Sequence, residues 1–316
     1  MSYALECKEE LTHIPLTNTK DSLTILNAIL RNGFTLTFRG FNKFSLTFET
    51  RSNPITRFII KLLNSNFLNI KYNLYQKQIM RFDKPQLYGI LIDEDADILI
   101  NAFNLLEEDT TTKSEILEEE DLKKSYLRGS FIVGGSVNDP KTSNYHLEIV
   151  VAVDHEAIFI QTLINSFNLN ARISKRKDKY VIYLKDKDSI CDLLRIIGVS
   201  LQAFKMEEGI IKRKMIADTK RKVNFDIANQ SKTNEANKNI FRYIKYLETY
   251  YPLDKLDPKL KMVMEVRKDN MEASLTELCE IILEKYGEKI SKSGLNHRFR
   301  KLKEIALEYK EKRMQQ

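Results

Sequence analysis

Hydrophobic positions in the first two thirds of the chain follow two periods. "FTLTFRGFNKFSLTFET" (residues 34–50) alternates apolar and polar residues, which predicts two strands joined by a hairpin turn at Gly40. "ITRFIIKLLNSN" (residues 55–66) instead repeats apolar residues at helical spacing. "YHLEIVVAV" and "EAIFIQTLINSF" repeat this succession of strand and helix further along the chain. The pattern predicts an α/β (α+β) fold with the order helix, strand, strand, helix, strand, strand, helix.

Three pairs of similar segments occur in the same order, which indicates a tandem duplication. We interpret residues 1–106 and 126–206 as the two halves, and the acidic residues 107–125 as a linker with some helix. The pairs are "LNAILRNG" (26–33) with "LRGSFIVGG" (127–135), "LLNSNFLNIK" (62–71) with "LINSFNLNAR" (163–172), and "YGILIDEDADILINAF" (88–103) with "YVIYLKDKDSICDLLR" (180–195).

Positive charge is concentrated in the C-terminal third. The formal net charge of the whole chain is +7, yet residues 211–316 hold 25 Lys and Arg against 16 Asp and Glu. This excess indicates a polyanionic partner. Residues 207–256 are predicted to be a basic helical linker, whose Lys and Arg clusters either contact phosphate or form a solvated helix face.

Several classes of protein are disfavoured by composition. The three cysteines are far apart and lack a nearby histidine in ligand spacing, so neither a disulfide framework nor a zinc site is expected. The N-terminal residues lack the apolar region of a signal peptide, and the apolar runs are too short to cross a membrane. These features predict a cytoplasmic protein.

Residues 257–316 are predicted to form an all-α helix-turn-helix domain. Asp257 and Pro258 are typical of a helix start, "SLTE" (residues 274–277) is a capping box, and Gly287 stands where that helix ends. Ser291 then begins a longer helix. Its apolar face consists of Leu295, Phe299, Leu302, Ile305 and Ala306.

The outward face of the last helix is the candidate DNA-reading surface. Asn, His and Arg side chains reach base edges, and Lys neutralises phosphate. The alternative is a small helical domain that is basic without binding DNA. Within a helix-turn-helix of about residues 274–308, the candidate DNA-binding residues are Lys292, Ser293, Asn296, His297, Arg298, Arg300, Lys301 and Lys303. Lys175, Arg176 and Lys177, at a hairpin turn in the second copy, form a further candidate surface or simply a soluble turn.

"YLRGSFIVGGSVNDP" (residues 126–140) spells a near P-loop, but proline at position 140 lacks the backbone N–H that cradles phosphate. The stretch instead resembles the opening helix of the LAGLIDADG homing-endonuclease fold. The resemblance implies two such helices packed closely, with Ala28 and Gly129 at matching positions. It also implies a metal-binding acidic residue at each helix end. Gly134 occupies that position in the second copy, and the first copy ends in "RNG", one residue short of the pattern.

"LIDEDAD" (residues 91–97) superficially spells the missing motif. Its partner in the second copy has the pattern of a strand followed by a helix start, so Asp93, Glu94 and Asp95 are expected in a loop and an N-terminal helical turn. The rival hypothesis is an active metal-dependent nuclease that uses Asp93, Asp95 or Asp97. The position of these acids relative to the helix pair discriminates between the two.

The chain also resembles one narrower family along essentially its whole length. "YLRGSFIVGGSVNDP", "LNARISKRKDKYVIYLKD", "VNFDIANQSKTNEA" and "SKSGLNHRFRKL" are similar to the bacterial WhiA family. The resemblance implies a degenerate LAGLIDADG domain joined to a helix-turn-helix, with no catalytic residue, metal or cofactor. It also implies roles in transcription, cell division, chromosome segregation and, in spore formers, sporulation.

The expected partner is double-stranded DNA on the nucleoid, with protein partners possible in transcription or division. A third hypothesis keeps DNA binding but assigns a chromosome-organising role.

Overall fold

A computed structural model of the chain describes residues 2–16, 18–40, 43–78, 86–108, 110–142 and 144–315. Its contacts divide the chain into two compact units, Met1–Arg213 and Lys214–Gln316. Each unit contains a hydrophobic core of its own, as expected of separate domains. In these described ranges, a helix long and apolar enough to cross a membrane is not found.

The first unit contains the predicted order of elements twice. Helix α1 (Tyr3–Thr12) comes first, and α5 (Thr110–Glu118) lies between the copies. The first copy comprises α2 (Thr19–Gly33), β1 (Thr35–Gly40), β2 (Lys43–Thr50), α3 (Asn53–Asn66), β3 (Asn73–Gln78), β4 (Gln86–Ile92) and α4 (Ala96–Ala102). The second comprises α6 (Glu120–Gly134), β5 (Gly135–Val137), β6 (Leu147–Val151), α7 (Asp154–Asn165), β7 (Arg172–Arg176), β8 (Lys179–Leu184) and α8 (Lys187–Ile197). The predicted α/β (α+β) class and the duplication are confirmed.

Each copy contributes one antiparallel four-stranded sheet, and the two sheets share a topology. Their strand orders are β1-β2-β4-β3 and β5-β6-β8-β7. In the first sheet Leu46 pairs with Ile92, and Phe48 pairs with Ile90. All four side chains are buried, because alternate residues of paired strands share one face of a sheet. The alternation seen in the sequence thus builds the apolar face that the helices cover.

Helices α2 and α6 pack against each other closely. A Cβ atom at Gly129 would lie 2.5 Å from the carbonyl oxygen of Ile25 and 2.8 Å from the Cβ of Ala28. The predicted meeting of Ala28 and Gly129 is therefore confirmed. Both helices contain 15 residues and end in glycine, at Gly33 and Gly134. The sequence pattern of the first motif is one residue short, but α2 is as long as α6, so the helix itself is not shortened.

The acidic segment between the two copies is packed into the first unit. Lys113 and Ile116 of α5 are buried, and Lys113 Nζ lies 3.0 Å from the buried carboxylate of Glu156 on α7. Tyr126 Oη donates to the other carboxylate oxygen at 2.5 Å. Because a buried carboxylate requires such partners, this segment is an integral part of the domain. The first helix of the second copy also begins at Glu120, before the predicted boundary at residue 126.

Helix α9 (Ser200–Tyr250) spans most of the predicted basic linker as one continuous helix. At its start the Glu10 carboxylate accepts hydrogen bonds from the backbone N–H groups of Leu201 and Gln202, at 2.7 and 3.0 Å. These bonds satisfy donors that a helix N-terminus leaves unpaired. At its other end, Ile244 and Leu247 are buried in the core of the second unit. That core therefore extends to residues before the predicted boundary at 257.

Three further helices complete the second unit. They are α10 (Pro258–Asp269), α11 (Leu275–Tyr286) and α12 (Lys292–Met314), and a short 3-10 helix, Leu253–Lys255, precedes them. Asp257 caps α10 by accepting from the backbone N–H of Lys259 at 2.8 Å, and Pro258 is its first residue, as predicted. Proline is tolerated there because that N–H has no partner within the helix.

Candidate nucleic-acid interface

Helices α11 and α12 form the predicted helix-turn-helix element. The capping box is present: the Ser274 hydroxyl accepts from the Glu277 backbone N–H, and the Glu277 carboxylate accepts from the Ser274 backbone N–H. Gly287 ends α11 with a φ of 67°, a left-handed conformation that glycine adopts without strain. Ser291 then caps α12 by accepting from the Gly294 N–H at 3.1 Å. Both helix starts and the intervening turn are therefore encoded locally.

Helix α12 divides into a buried and an exposed face, as the sequence predicts. Leu295, Phe299, Leu302 and Ala306 are each at most 4% exposed. This apolar face belongs to the core that also contains residues of α9, α10 and α11. Seven of the eight candidate DNA-binding side chains on α12 are exposed: Lys292, Ser293, Asn296, His297, Arg300, Lys301 and Lys303. The core thus holds the helix while its basic side faces solvent.

Arg298 is the exception among the candidates on α12. Its guanidinium pairs with the carboxylate of Glu288, and its side chain is only 18% exposed. The same ion pair lowers the pKa of Glu288. Arg298 therefore joins α12 to the residues that follow α11, and the structure does not place it with the exposed candidates. Charge counting misses this distinction because it does not show which arginine has a carboxylate beside it.

Aromatic residues at the end of α9 lie beside two cations of α12. Lys303 Nζ is 5.9 Å from the ring centroid of Tyr243, and the Arg313 guanidinium carbon is 4.2 Å from that of Tyr250. Contacts of this kind attract a cation to the face of the ring. They restrain two long side chains on α12, and the sequence pattern alone does not reveal them.

The second candidate surface lies where the sequence places it, at the turn between β7 and β8. Lys177 has a φ of 55°, which is typical of a tight turn. Arg176 lies 3.7 Å from Glu148, and Lys175 Nζ is 5.4 Å from the Tyr180 ring centroid. The three cations therefore share one hairpin, but two of them already contact neighbouring side chains of their own sheet.

The acids of the nuclease hypothesis lie where β4 meets α4, outside helices α2 and α6, and Asp97 is in the first turn of α4. Asp93 and Glu94 occupy the loop after β4, and Asp95 immediately precedes α4, as predicted. The Asp95 carboxylate accepts from the backbone N–H of Lys71 at 2.7 Å, and Glu94 pairs with the Lys71 ammonium at 2.7 Å. These contacts join Glu94 and Asp95 to the loop before β3, and Asp93 lies 4.0 Å from the Arg39 guanidinium. Among the described residues there is no group of three or more side chains suited to hold a metal ion.

Comparisons with known proteins agree with this architecture. The family model described as the WhiA C-terminal HTH domain matches residues 219–306, and that of the WhiA LAGLIDADG-like domain matches residues 123–216. A "Probable cell division protein WhiA" from Pediococcus pentosaceus is 36% identical over 312 residues, which cover 97% of this chain and 98% of the relative. The chain belongs to the WhiA family.

Two further WhiA proteins extend this comparison. A "Probable cell division protein WhiA" from Oceanobacillus iheyensis is 36% identical over 315 residues, 97% of each chain. The crystal structure of full-length DUF199/WhiA from Thermotoga maritima matches with a TM-score of 0.57 at 24% identity, over 98% of each chain. At that identity the likeness supports the WhiA fold alone. The expected combination of a LAGLIDADG-like domain with a helical HTH domain is confirmed.

Proposed function

We propose that this chain is a non-enzymatic regulator that binds double-stranded DNA through α12 and acts in cell division. The observation that carries the proposal is the division of α12 into a buried apolar face and an exposed basic face. A helix anchored in this way presents its free side to the major groove. The WhiA relatives are described as probable cell division proteins, which supports the cellular role.

Asn296 and Arg300 are the proposed base-reading residues. They lie one helical turn apart and are both exposed, so they point to the same side of α12. Arginine pairs with guanine and asparagine with adenine through two hydrogen bonds, and each pair discriminates by about 1–3 kcal/mol. Ser293 and His297 lie on the same exposed helix and reach either base edges or phosphates.

Lys292, Lys301 and Lys303 are the proposed phosphate-binding residues of α12. Removal of one phosphate contact reduces the slope of log affinity against log salt concentration by about 0.9, and it weakens binding to all DNA sequences alike. The β7–β8 hairpin is a proposed secondary DNA contact, through Lys175, Arg176 and Lys177. Arg176 should contribute less than the two lysines, because it already pairs with Glu148.

The non-enzymatic assignment rests on the ends of the motif helices. The resemblance places Gly134 at the position of the metal-binding carboxylate in the second copy, and α2 ends in residues 31–33, "RNG", which also contain no carboxylate. Hydrolysis assisted by two metal ions requires oxygen ligands. We expect supercoiled plasmid to remain intact with the purified protein and Mg²⁺ or Mn²⁺. Nicking that Asp93→Ala abolishes would instead establish the nuclease hypothesis.

The test of base reading compares three variants on a duplex chosen by in-vitro selection and on a scrambled duplex. Arg300→Ala should lower affinity for the selected duplex much more than for the scrambled one. Arg300→Lys should keep the charge but lose the same selectivity, because an ammonium lacks the planar fork of donors. Lys303→Ala should weaken binding to both duplexes and reduce the salt slope. An unchanged selectivity ratio in Arg300→Ala would show that α12 does not read the bases through this residue.

The cellular role is tested by chromatin immunoprecipitation with sequencing. We propose a nucleoid-associated protein of the cytoplasm whose occupancy forms focused peaks at promoters, including those of genes for division and chromosome segregation. Diffuse coverage that Arg300→Ala leaves unchanged would favour a chromosome-organising role over promoter-specific regulation.

A further inference from the structure

A buried arginine in the second unit is not paired with a carboxylate among the residues that the structure describes, although buried arginines normally have such a partner. Arg267 of α10 is 1% exposed. Its Nη1 donates to the carbonyl oxygens of Asn270 and Ala273, the latter at 2.6 Å, and its Nη2 donates to the side-chain oxygen of Asn237. The guanidinium also lies over the Phe299 ring, 5.5 Å from its centroid. Every one of these partners is electrically neutral.

The charge of this guanidinium is therefore only partly compensated. A guanidinium carries five N–H donors, and the Arg267 Nε is buried without a hydrogen-bond partner in the described part of the chain. The neighbouring Asn237 Nδ2 is also buried without one. Burial lowers the pKa of Arg267, which reflects the cost of removing its charge from water. An unpaired buried charge is costly unless an anion compensates it.

A cavity of about 600 Å³ adjoins this arginine. That volume lies within the range of about 300–1,000 Å³ typical of small-molecule sites. Lys238 and Arg242 of α9 line the cavity with Arg267, whereas Glu272 is the acidic residue in the described lining. The remaining walls are formed by amide and apolar side chains: Gln230, Asn234, Asn237, Phe241 and Met271.

We propose that this cavity binds a phosphate group, with Arg267, Arg242 and Lys238 as its cationic contacts. Phosphate oxygens accept several charge-assisted hydrogen bonds from guanidinium groups, and would compensate the buried charge of Arg267. The side-chain amides of Gln230, Asn234 and Asn237 supply further donors. The phosphate belongs either to a free phosphorylated small molecule or to the backbone of nucleic acid, and the chemistry of recognition is the same.

Arg267 also holds the loop between α10 and α11 through its bonds to Asn270 and Ala273. Arg267→Met therefore perturbs the fold as well as the cavity. Arg242→Gln is the sharper test, because Arg242 lines the cavity and is exposed. Lys245→Gln is the matched control, because it removes the same charge from an exposed position of α9. Lys245 lies outside the described lining of the cavity.

The first measurement is titration of the full chain with inorganic phosphate by calorimetry, with thermal melts in phosphate and in sodium chloride of equal ionic strength. We expect saturable binding and a higher melting temperature in phosphate. Arg242→Gln should weaken the affinity about tenfold or more, since bonds to charged groups are individually strong, and Lys245→Gln should not. Absence of phosphate binding, or equal effects of the two substitutions, would overturn the proposal.

The second measurement identifies the source of the phosphate. If it is nucleic-acid backbone, inorganic phosphate competes with duplex DNA, and Arg242→Gln weakens selected and scrambled duplexes alike. If it is a free phosphorylated molecule, Arg242→Gln weakens phosphate binding as above but leaves duplex affinity equal to that of Lys245→Gln. The calorimetric titration does not depend on DNA binding, so its result stands even if the proposed function fails.

Discussion

The close packing of α2 against α6 predicts the effect of one added methyl group. In Gly129→Ala the new Cβ would lie 2.5 Å from the Ile25 carbonyl oxygen and 2.8 Å from the Ala28 Cβ. The nearer atom belongs to the backbone of a helix and cannot rotate away as a flexible side chain would. The two helices must therefore separate or tilt, which disturbs the buried residues around them.

Two opposing effects set the magnitude. Replacing glycine by alanine inside a helix ordinarily stabilises by about 1 kcal/mol. Overpacking of a well-filled core costs about 1–3 kcal/mol, and contact with a backbone atom favours the upper end. We therefore expect Gly129→Ala to destabilise the first unit by about 2 kcal/mol. For a domain of this size, that corresponds to a melting temperature lower by about 4–8 °C.

The assay is thermal denaturation followed by circular dichroism, with Gly294→Ala as the matched control. Gly294 is also helical, but its added Cβ would meet side-chain atoms of Ile290 and Ser291 no closer than 3.3 Å. We expect the control to be neutral or stabilising. The double variant Ala28→Gly/Gly129→Ala removes the contact with Ala28 but keeps that with the Ile25 oxygen, so it should recover only part of the loss. A Gly129→Ala protein as stable as the control would refute the close approach.

Three further predictions concern stability. Ser274→Ala removes one half of the capping box and should destabilise the second unit by about 1 kcal/mol in urea denaturation. Burial lowers the pKa of Lys8 from 10.5 to about 8. Lys8→Met should therefore raise the melting temperature at pH 7, where the folded protein has to bury the charged ammonium. The gain should shrink between pH 8, where Lys8 loses its proton in the folded protein, and pH 10.5, where it loses its proton in the unfolded chain. A gain independent of pH would contradict this cause. Arg298 lowers the pKa of Glu288, so Glu288→Gln should lower the melting temperature at neutral pH, and the difference should fade as acid protonates Glu288 in the parent.

Local features of the structure follow from the sequence because the interactions that create them span only a few residues. The starts of α10, α11 and α12 are caps formed by side chains up to three residues away. Strand alternation and helical spacing similarly indicate which faces are apolar, and Leu295 and Phe299 lie where that spacing places them. Gly287, which ends α11, can also be predicted from the sequence, because a helix commonly ends at a residue with a left-handed φ and glycine adopts that conformation most easily.

Only the tertiary structure shows which of several charged residues that look alike in sequence form ion pairs. Arg298 and Arg300 look alike in sequence, yet only Arg298 has the Glu288 carboxylate beside it. The spacing of Arg267 from Leu260, Val263 and Met264 places it on the apolar face of α10, but the identity of its neutral partners depends on α9 and the following loop.

The acidic segment between the copies shows the same limit. Its composition is typical of a solvated linker, whereas the structure buries Lys113 against Glu156 of a distant helix. Sequence determines the elements, their caps and their apolar faces, because these depend on neighbours along the chain. Only the tertiary structure determines the pairing of charges and the close contact of Gly129 with Ile25, because these depend on distances between segments remote in sequence.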